Sequence, residues 1–405
     1  MRVLLVHCFY RSSAPSGEDS VYRNEKKLLE DHGYDVITYE KYNDDLDNLS
    51  PIKKMAAGME FIWSSRALRE ISEILATHSP DIAHFHNIFP QISSSAFLAC
   101  KRYGVPVVQT LHNFRYICPA GLLQRDNKPC EKCIDGTLLY SLIHKCYRNS
   151  FVATLPMAAM IATNRLLGSF KNNVDHYITL TNFAKSRFVA GGLPPEKISV
   201  KPNFINEIDA FEPICGDYAV YVGRLTQEKG IATLIEACKQ TKNIPVKIVG
   251  DGELRGSLET ICIQHDLNVE FLGFQHKESV MSLIKKSRLL IMPSECYEGF
   301  PVTIAEAYAC GKPVLGSKIG SLDEIIIEGI TGRKFDFGSA NSLSKTMIDM
   351  WFDLESLKFM SLQSRVAFDT LYNPEVNLKI LSEIYNSLIA NLSKERVTLQ
   401  ESSDA

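Results

Sequence analysis

The sequence predicts an α/β protein with two doubly wound parallel sheets, one in each of two successive domains. Short apolar runs alternate with helical patterns along the chain, which is typical of βαβ units. A chain of 405 residues is also too long for one ordinary hydrophobic core. Residues 203–215, which show no clear period, separate two sets of predicted strands and are interpreted as an interdomain linker.

The predicted strands are short apolar runs, each followed by a turn signal or a helical pattern. Those of the first half are Val3–Cys8, Asp35–Tyr39, Ile82–His86, Val105–Leu111, His176–Leu180 and Ile198–Pro202. Those of the second half are Tyr218–Gly223, Val246–Gly250, Val269–Leu272, Arg288–Met292 and Pro313–Gly316. We therefore expect an N-terminal domain over 1–203 and a C-terminal domain over 204–372. A final amphipathic helix over 373–392 and a polar, disordered tail over 393–405 complete the prediction.

Charge and composition exclude some classes of function. The net charge of −3 argues against a nucleic-acid-binding protein. Residues 101–200 nevertheless hold 13 Lys/Arg against 5 Asp/Glu, which favours an anionic acceptor or a membrane surface, with scattered solvated charges as the alternative. The apolar start reads as a first strand, and 11 cysteines without a secretory signal indicate a reducing, cytoplasmic setting.

The segment 293–307 carries the strongest functional signal. Glu298 and Glu306 flank a turn that contains Gly299 and Pro301 and that opens a helix after the strand Arg288–Met292. Free N–H groups at a helix start attract an anion such as pyrophosphate, and carboxylates accept hydrogen bonds from sugar hydroxyls. The segment therefore suggests a nucleotide-sugar site, whereas two glutamates on an ordinary strand-turn-helix unit are the plain alternative.

A second turn supplies two cations. Arg224 and Lys229 bracket the loop that follows the strand Tyr218–Gly223, where a guanidinium and an ammonium can neutralise a diphosphate. The turns at Gly252 and at Gly273-Phe274 are weaker signals, because neither completes a dinucleotide-binding fingerprint.

Taken together, Glu-Gly-Phe-Pro followed by Glu306 and the earlier Gly-Arg…Glu-Lys-Gly resemble the donor-site elements of family 4 retaining glycosyltransferases. The resemblance implies the GT-B fold, in which two Rossmann-like domains face a central cleft. The nucleotide sugar lies on the second domain and the acceptor on the first. It also implies that the helix 373–392 crosses back to the N-terminal domain.

The same resemblance assigns roles on the donor side. Glu298 is expected to bind hydroxyls of the donor sugar, Glu306 those of the ribose, and Arg224 and Lys229 the diphosphate. No cofactor is then required for catalysis, since these cations and the helix N–H groups stabilise the leaving group. The full donor-side set is Arg224, Lys229, Gly252, Phe274, Glu298, Gly299, Phe300, Pro301 and Glu306.

On the acceptor side, His112 follows a predicted strand, and family members carry a histidine here that reaches the donor sugar near the reacting carbon. A structural histidine with its hydrogen bonds satisfied within the fold is the plain alternative. His112 and Glu298 are therefore the predicted catalytic residues, with Gly17, His86 and Asn113 on the acceptor side. Only Gly17 is left of the usual glycine pair after the first strand. His84 and His86 form a His-x-His pair that can chelate zinc, but without an obvious third ligand we interpret them as cleft lining or packing.

A cysteine-rich insert over 115–150 distinguishes this chain. Its four thiols have the spacing C-x11-C-x2-C-x12-C, which suits a structural zinc site, with unrelated thiols in a loop-rich insert as the alternative. They are Cys118, Cys130, Cys133 and Cys146.

The predicted function is a retaining, hexosyltransferase-type glycosyltransferase of cell-surface polysaccharide or glycolipid biosynthesis. Its partners would be a nucleotide-diphosphate sugar and a glycan or lipid-linked acceptor, at the inner face of the membrane. The alternatives are a GT-B nucleotide-sugar epimerase or hydrolase, and a catalytically silent nucleotide-sugar-binding protein.

Overall fold

The computed structural model describes residues 1–12, 16–46, 60, 62–206 and 216–403, and these form two compact units. The first unit comprises Met1–Leu122, Glu131–Pro202 and Glu375–Ala405, and the second comprises Leu123–Cys130 and Asn203–Pro374. Part of the predicted linker, 207–215, lies outside the described residues.

The first unit is built on a parallel sheet. Within the described residues it has six strands in the order β2-β1-β3-β4-β7-β8. They are β1 Arg2–Phe9, β2 Asp35–Tyr42, β3 Ile82–Phe85, β4 Val107–Leu111, β7 His176–Thr179 and β8 Ile198–Val200. Its helices are α1 Gly17–Asp31, α2 Ser65–His78, α3 Ser95–Arg102, α4 Lys132–Asp135, α5 Leu139–Ile143, α6 Phe151–Leu166, α7 Ser169–Asn172 and α8 Asn182–Ala190.

The second unit repeats this plan. The described part of its sheet has six parallel strands in the order β11-β10-β9-β12-β13-β14. They are β9 Ala219–Val222, β10 Val246–Val249, β11 Val269–Gly273, β12 Leu289–Met292, β13 Val314–Ser317 and β14 Gly332–Phe335. Its helices are α9 Ile231–Cys238, α10 Arg255–Gln264, α11 Lys277–Lys286, α12 Val302–Ala309, α13 Gly320–Ile325, α14 Ala340–Phe352 and α15 Leu354–Ala367.

The predicted α/β class with two doubly wound parallel sheets is confirmed. The central strands of both sheets are buried, as parallel sheets require, and Leu4, Leu5, Ile248 and Leu290 have no exposed surface. In such sheets the loops after the strands gather at one edge, and this edge carries the candidate site of each unit.

Three strands were not predicted. The sequence did not predict β14, a half-exposed strand with Arg333 and Lys334. It also missed the hairpin of β5 Gln124–Arg125 and β6 Lys128–Pro129, which belongs to the second unit although the whole insert 115–150 was assigned to the first.

The last helix, α16, runs from Pro374 to Ser403, past residue 393, where the disordered tail was expected to begin. The residues after 393 include neither proline nor glycine, so nothing in them interrupts a helix. Among the described residues, no helix combines the length and the apolar character that crossing a bilayer requires.

Candidate active site

In the second unit an ion pair joins the two sequence elements predicted to hold a donor. Nζ of Lys229 lies 2.7 Å from Oε1 of Glu298, and the Ser294 hydroxyl donates to the same oxygen over 2.8 Å. Burial alone would raise the pKa of Glu298, but Lys229 and Ser294 outweigh it and hold the pKa below its usual range. Glu298 is therefore a carboxylate whose second oxygen remains available to a ligand hydroxyl.

The loops that carry Lys229 and Glu298 are fixed to each other through their backbones. The amide of Glu295 donates to the carbonyl of Glu228 over 2.9 Å. Gly230 has φ of +67°, and a Cβ there would lie 1.8 Å from the carbonyl oxygen of Pro293. Only glycine permits this left-handed conformation and this close approach, so Gly230 sets the distance between the two loops.

Glu306 lies on the second turn of α12 and differs from Glu298 in its surroundings. No hydrogen bond or ion pair links its carboxylate to any other residue that the structure describes. Burial raises the pKa of Glu306, and Lys277 opposes this only in part. A half-buried carboxylate without a partner has its hydrogen-bonding capacity unused, as expected of a group that awaits a ligand.

Other predicted donor residues lie on the loops that follow β9, β10 and β11. Arg224 follows β9, is 62% exposed and pairs with Glu228 at 3.3 Å. A Cβ on Gly252 would lie 2.5 Å from the carbonyl oxygen of Leu225, so the turn after β10 packs directly on the Arg224 loop. Phe274, after β11, is 63% exposed, and a large exposed aromatic ring suits stacking on a ligand.

The start of α12 is held by buried contacts. Pro301 is the N-cap residue of α12, one position before Val302, its first helical residue. Phe300, after Gly299, is buried, and its carbonyl accepts a hydrogen bond of 3.2 Å from Nδ2 of the Asn203 side chain. The N–H of Ile304 donates to the carbonyl of Pro301 over 3.0 Å, whereas the N–H groups of Val302 and Thr303 precede the first donor of this helix, as in anion-binding helix starts.

The hairpin of β5 and β6 also touches this region. Nε2 of Gln124 donates to the carbonyl of Glu295 over 3.1 Å, three residues before Glu298. Since both strands have two residues, they show no alternation that sequence reasoning could detect.

In the first unit, buried histidines follow adjacent strands. Nε2 of His112, after β4, lies 2.9 Å from Nδ1 of His86, after β3. Nε2 of His86 in turn lies 3.0 Å from Oε1 of Glu25 on α1, whose other oxygen accepts from Nζ of Lys201 over 2.8 Å. The structure thus brings the predicted residues His86 and His112 together.

Sequence reasoning missed Glu25 and Lys201, although a signal existed. Lys201 stands inside the predicted strand Ile198–Pro202, and Glu25 shares the apolar face of α1 with Tyr22 and Leu29. A charged residue at a buried position requires an opposite charge, which the two residues provide for each other.

The start of α1 holds two further acceptor-side residues. Gly17 is the first residue of α1 and is exposed, next to the N-cap Ser16. Nδ2 of Asn113 donates to Oε1 of Glu18 over 2.8 Å, so the loop after β4 is bonded to this helix start. Residues 13–15 lie outside the described residues.

The zinc site at the four cysteines of the insert stays a prediction. Cys118, Cys133 and Cys146 belong to the first unit, whereas Cys130 belongs to the second. Among the described residues, potential metal ligands come within 4.8 Å of one another as a group of three at Glu25, His84 and His86, not at these cysteines. Lys201 already neutralises Glu25 there, so we interpret that group as a hydrogen-bonded network.

Two family models match this chain. Residues 20–207 match the model described as Glycosyltransferase Family 4, and residues 213–361 match that described as Glycosyl transferases group 1. An uncharacterized glycosyltransferase of Methanocaldococcus jannaschii is 25% identical over 336 residues, which are 81% of this chain and 82% of the relative. The amylovoran biosynthesis glycosyltransferase AmsK of Erwinia amylovora is 27% identical over 228 residues, 52% and 56% of the two chains.

Solved structures share the fold. Sucrose-phosphate synthase from Thermosynechococcus elongatus superposes with a TM-score of 0.70 at 17% identity, over 96% of this chain and 99% of the other. Anabaena HepE, solved with UDP and glucose, gives 0.65 at 16% identity, over 96% and 100% of the two chains. At these identities the likeness concerns the fold, two Rossmann-like domains of the GT-B class.

Proposed function

The chain belongs to the group 1 type of family 4 glycosyltransferases, and we propose that it moves a sugar from a nucleoside-diphosphate sugar to a glycan or lipid-linked acceptor. The observation that carries the proposal is the 2.7 Å ion pair between Lys229 and Glu298. It joins a cation that suits a diphosphate to a carboxylate that suits a sugar hydroxyl, and the two groups belong to different loops.

The residues around this pair account for the chemistry of transfer. As the bond between sugar and diphosphate breaks, negative charge grows on the leaving oxygen and positive charge on the sugar. Arg224, Lys229 and the N–H groups at the start of α12 would stabilise the leaving diphosphate without a divalent metal. Glu298 and Glu306 would accept hydrogen bonds from hydroxyls of the sugar and the ribose, which fixes the donor for attack.

We further propose that transfer retains the anomeric configuration and that the product enters a cell-surface polysaccharide. Support for the second point comes from the relative that is named for amylovoran biosynthesis. Support for the first comes from the likeness of the segment 298–306 to the donor element of retaining enzymes.

We also propose that the acceptor is met at an anionic membrane surface. Residues 136–174 hold four Lys/Arg and no Asp/Glu. Although one face of α6 is buried through Met157 and Ile161, side chains at both of its ends and on α5 are open to solvent. Ile143, Val152 and Leu166 are exposed by 69%, 79% and 87%, a combination of apolar and basic groups that suits an anionic bilayer.

The direct test measures release of nucleoside diphosphate from UDP-glucose, UDP-N-acetylglucosamine and GDP-mannose, with and without an alkyl glycoside as acceptor. We expect acceptor-dependent release with at least one donor, and an α-linked product from an α-linked donor by NMR. A β-linked product contradicts retention. Release of an isomerised or free sugar favours the epimerase or hydrolase, and binding without turnover favours the silent protein.

Membrane docking is tested by sedimentation with vesicles of phosphatidylcholine alone or mixed with phosphatidylglycerol. We expect binding to the mixed vesicles and its loss in the double variant Ile143→Asp with Val152→Asp. Ile263→Asp is the matched control, because Ile263 is 82% exposed on α10 of the second unit. Equal sedimentation of all three proteins would contradict the proposed surface.

A further inference from the structure

A line of three buried groups in the first unit ends at His112. Oε1 of Glu25 lies 3.0 Å from Nε2 of His86, and Nδ1 of His86 lies 2.9 Å from Nε2 of His112. The two imidazole rings are stacked, with their centroids 5.1 Å apart. Both distances are those of hydrogen bonds, so the proton positions along the line depend on one another.

The first member of the line is a carboxylate. Glu25 is fully buried, which alone would raise its pKa, but Lys201, His84 and His86 outweigh burial and hold the pKa well below its usual range. Nζ of Lys201 lies 2.8 Å from Oε2 of Glu25 and donates to Asn377 over 2.9 Å. An ionised carboxylate only accepts hydrogen bonds, so Nε2 of His86 must carry the proton between them.

The second member, His86, is neutral. Lys201 already balances the charge of Glu25, so a protonated His86 would add an uncompensated charge at a position that is 2% exposed. Burial, only partly offset by Glu25, lowers the pKa of His86 to about 4. A neutral imidazole with its proton on Nε2 offers a lone pair on Nδ1, and His112 must then donate to it from Nε2.

The aromatic groups packed against His86 have hydrogen-bond partners of their own, so they do not compete for its ring nitrogens. The rings of His7 on β1 and Tyr22 on α1 lie 6.1 Å and 5.4 Å from His86. His7 bonds to Asp19, and the Tyr22 hydroxyl donates to Glu40.

His84 is in contact with Glu25 but lies off the line. Its Nδ1 is 3.0 Å from Oε1 of Glu25 and 2.6 Å from the Tyr385 hydroxyl, and its Nε2 is 2.7 Å from the Thr110 hydroxyl. Within the described part of the chain, no hydrogen bond joins His84 to His112. It therefore offers a matched control for His86.

We propose that Glu25, acting through His86, fixes His112 as the Nε2–H tautomer and leaves the Nδ1 lone pair as the acceptor for a ligand hydroxyl. Glu25 and His86 are then positioning residues, and His112 is the residue that meets the sugar. The tautomer follows from the network alone, whereas its use in transfer rests on the proposed function.

Long-range ¹⁵N–¹H NMR of histidine-labelled protein at pH 7 reports the tautomer directly, with the His112 signal identified by its loss in His112→Ala. We expect a protonated Nε2 and an unprotonated Nδ1. His86→Phe removes the acceptor and should give a mixture of tautomers, whereas His84→Phe should leave the His112 signal unchanged. An Nδ1–H tautomer or an imidazolium in the unmodified protein overturns the proposal, as does an equal change in both variants.

Kinetics provides the second readout. In His86→Phe we expect kcat to fall at least about 10-fold, with a smaller change in the KM for donor, whereas His84→Phe stays near the original kcat. If His86→Phe does not fold, the double variant Glu25→Gln with Lys201→Met keeps the charge balance and should also release the tautomer. The NMR result stands without any ligand, so a failed transfer assay with the expected tautomer counts against the proposed function and not against this network.

Discussion

Glu25 in the first unit is fully buried and Glu306 in the second is half-buried, and their surroundings are opposite. Glu25 accepts hydrogen bonds from Lys201 and His86, and these partners hold its pKa low. Glu306 has no such bond with any described residue, and burial raises its pKa. The difference separates two uses of a buried carboxylate: one satisfied by the fold and positioning its neighbours, the other left for a ligand to satisfy.

Glu298 is intermediate between these two. One of its oxygens takes part in the ion pair with Lys229, while the loop around it is fixed by backbone contacts at Gly230 and Glu295. We infer that the donor site is assembled in advance at its phosphate end and completed by the ligand at Glu306.

The largest expected effect comes from leaving Glu25 without its cation. Lys201→Met should lower the free energy of unfolding by about 3–5 kcal/mol, because a buried carboxylate is left unpaired. The matched control, Lys27→Met, breaks an exposed pair with Asp31 and should cost less than about 1 kcal/mol. Denaturant titration measures the free energy of unfolding of both variants. Equal losses of stability would contradict the claim that Glu25 depends on Lys201 more than an exposed carboxylate depends on its partner.

The pH dependence of stability has a definite sign for this pair. The folded pKa of Glu25 lies below its unfolded value, so its contribution is present above the usual glutamate pKa and is lost as the pH falls toward the folded value. We expect Glu25→Gln with Lys201→Met to show a smaller loss of stability on acidification than the unmodified protein, measured by denaturant titration from neutral pH to below pH 4.5.

Lys229→Met should have the largest effect on activity. We propose that this cation binds the leaving diphosphate, so its removal is expected to lower kcat/KM for the donor by roughly 100- to 1,000-fold. Lys239→Met is the control, since Lys239 pairs with Glu236 at the end of α9 and should be near neutral. If both variants keep their activity, Lys229 has a structural role only.

Glu306→Gln should have a smaller effect, and it should lower the affinity for the donor while raising the stability of the protein without ligand. Donor affinity should fall by about 10-fold, because an ionised acceptor of hydroxyl hydrogen bonds is replaced by a neutral amide. Stability without ligand should rise at neutral pH. The folded pKa of Glu306 is raised, so the folded state binds more protons between the two pKa values and stability decreases as the pH rises through them. Thermal unfolding at pH 7 and at pH 4 checks the sign, and lower stability of the variant at pH 7 would contradict it.

The fold and the donor loops could be predicted because their signals are local. Apolar runs predict the strands, and Glu298 with Gly299 and Pro301 lies in one short segment. The ion pair of Lys229 with Glu298 was not predicted, because it joins groups 69 residues apart and depends on how β9 and β12 pair. The pairing of Glu25 with Lys201 was not predicted for the same reason, since the two residues are 176 positions apart.

Calorimetric titration of nucleoside-diphosphate sugars into the unmodified protein and into Glu306→Gln tests the central claim most directly. The account predicts that at least one donor binds the unmodified protein, that affinity weakens as the pH falls through the raised pKa of Glu306, and that Glu306→Gln binds more weakly without this pH dependence. Equal affinity and equal pH dependence in the two proteins would contradict the account.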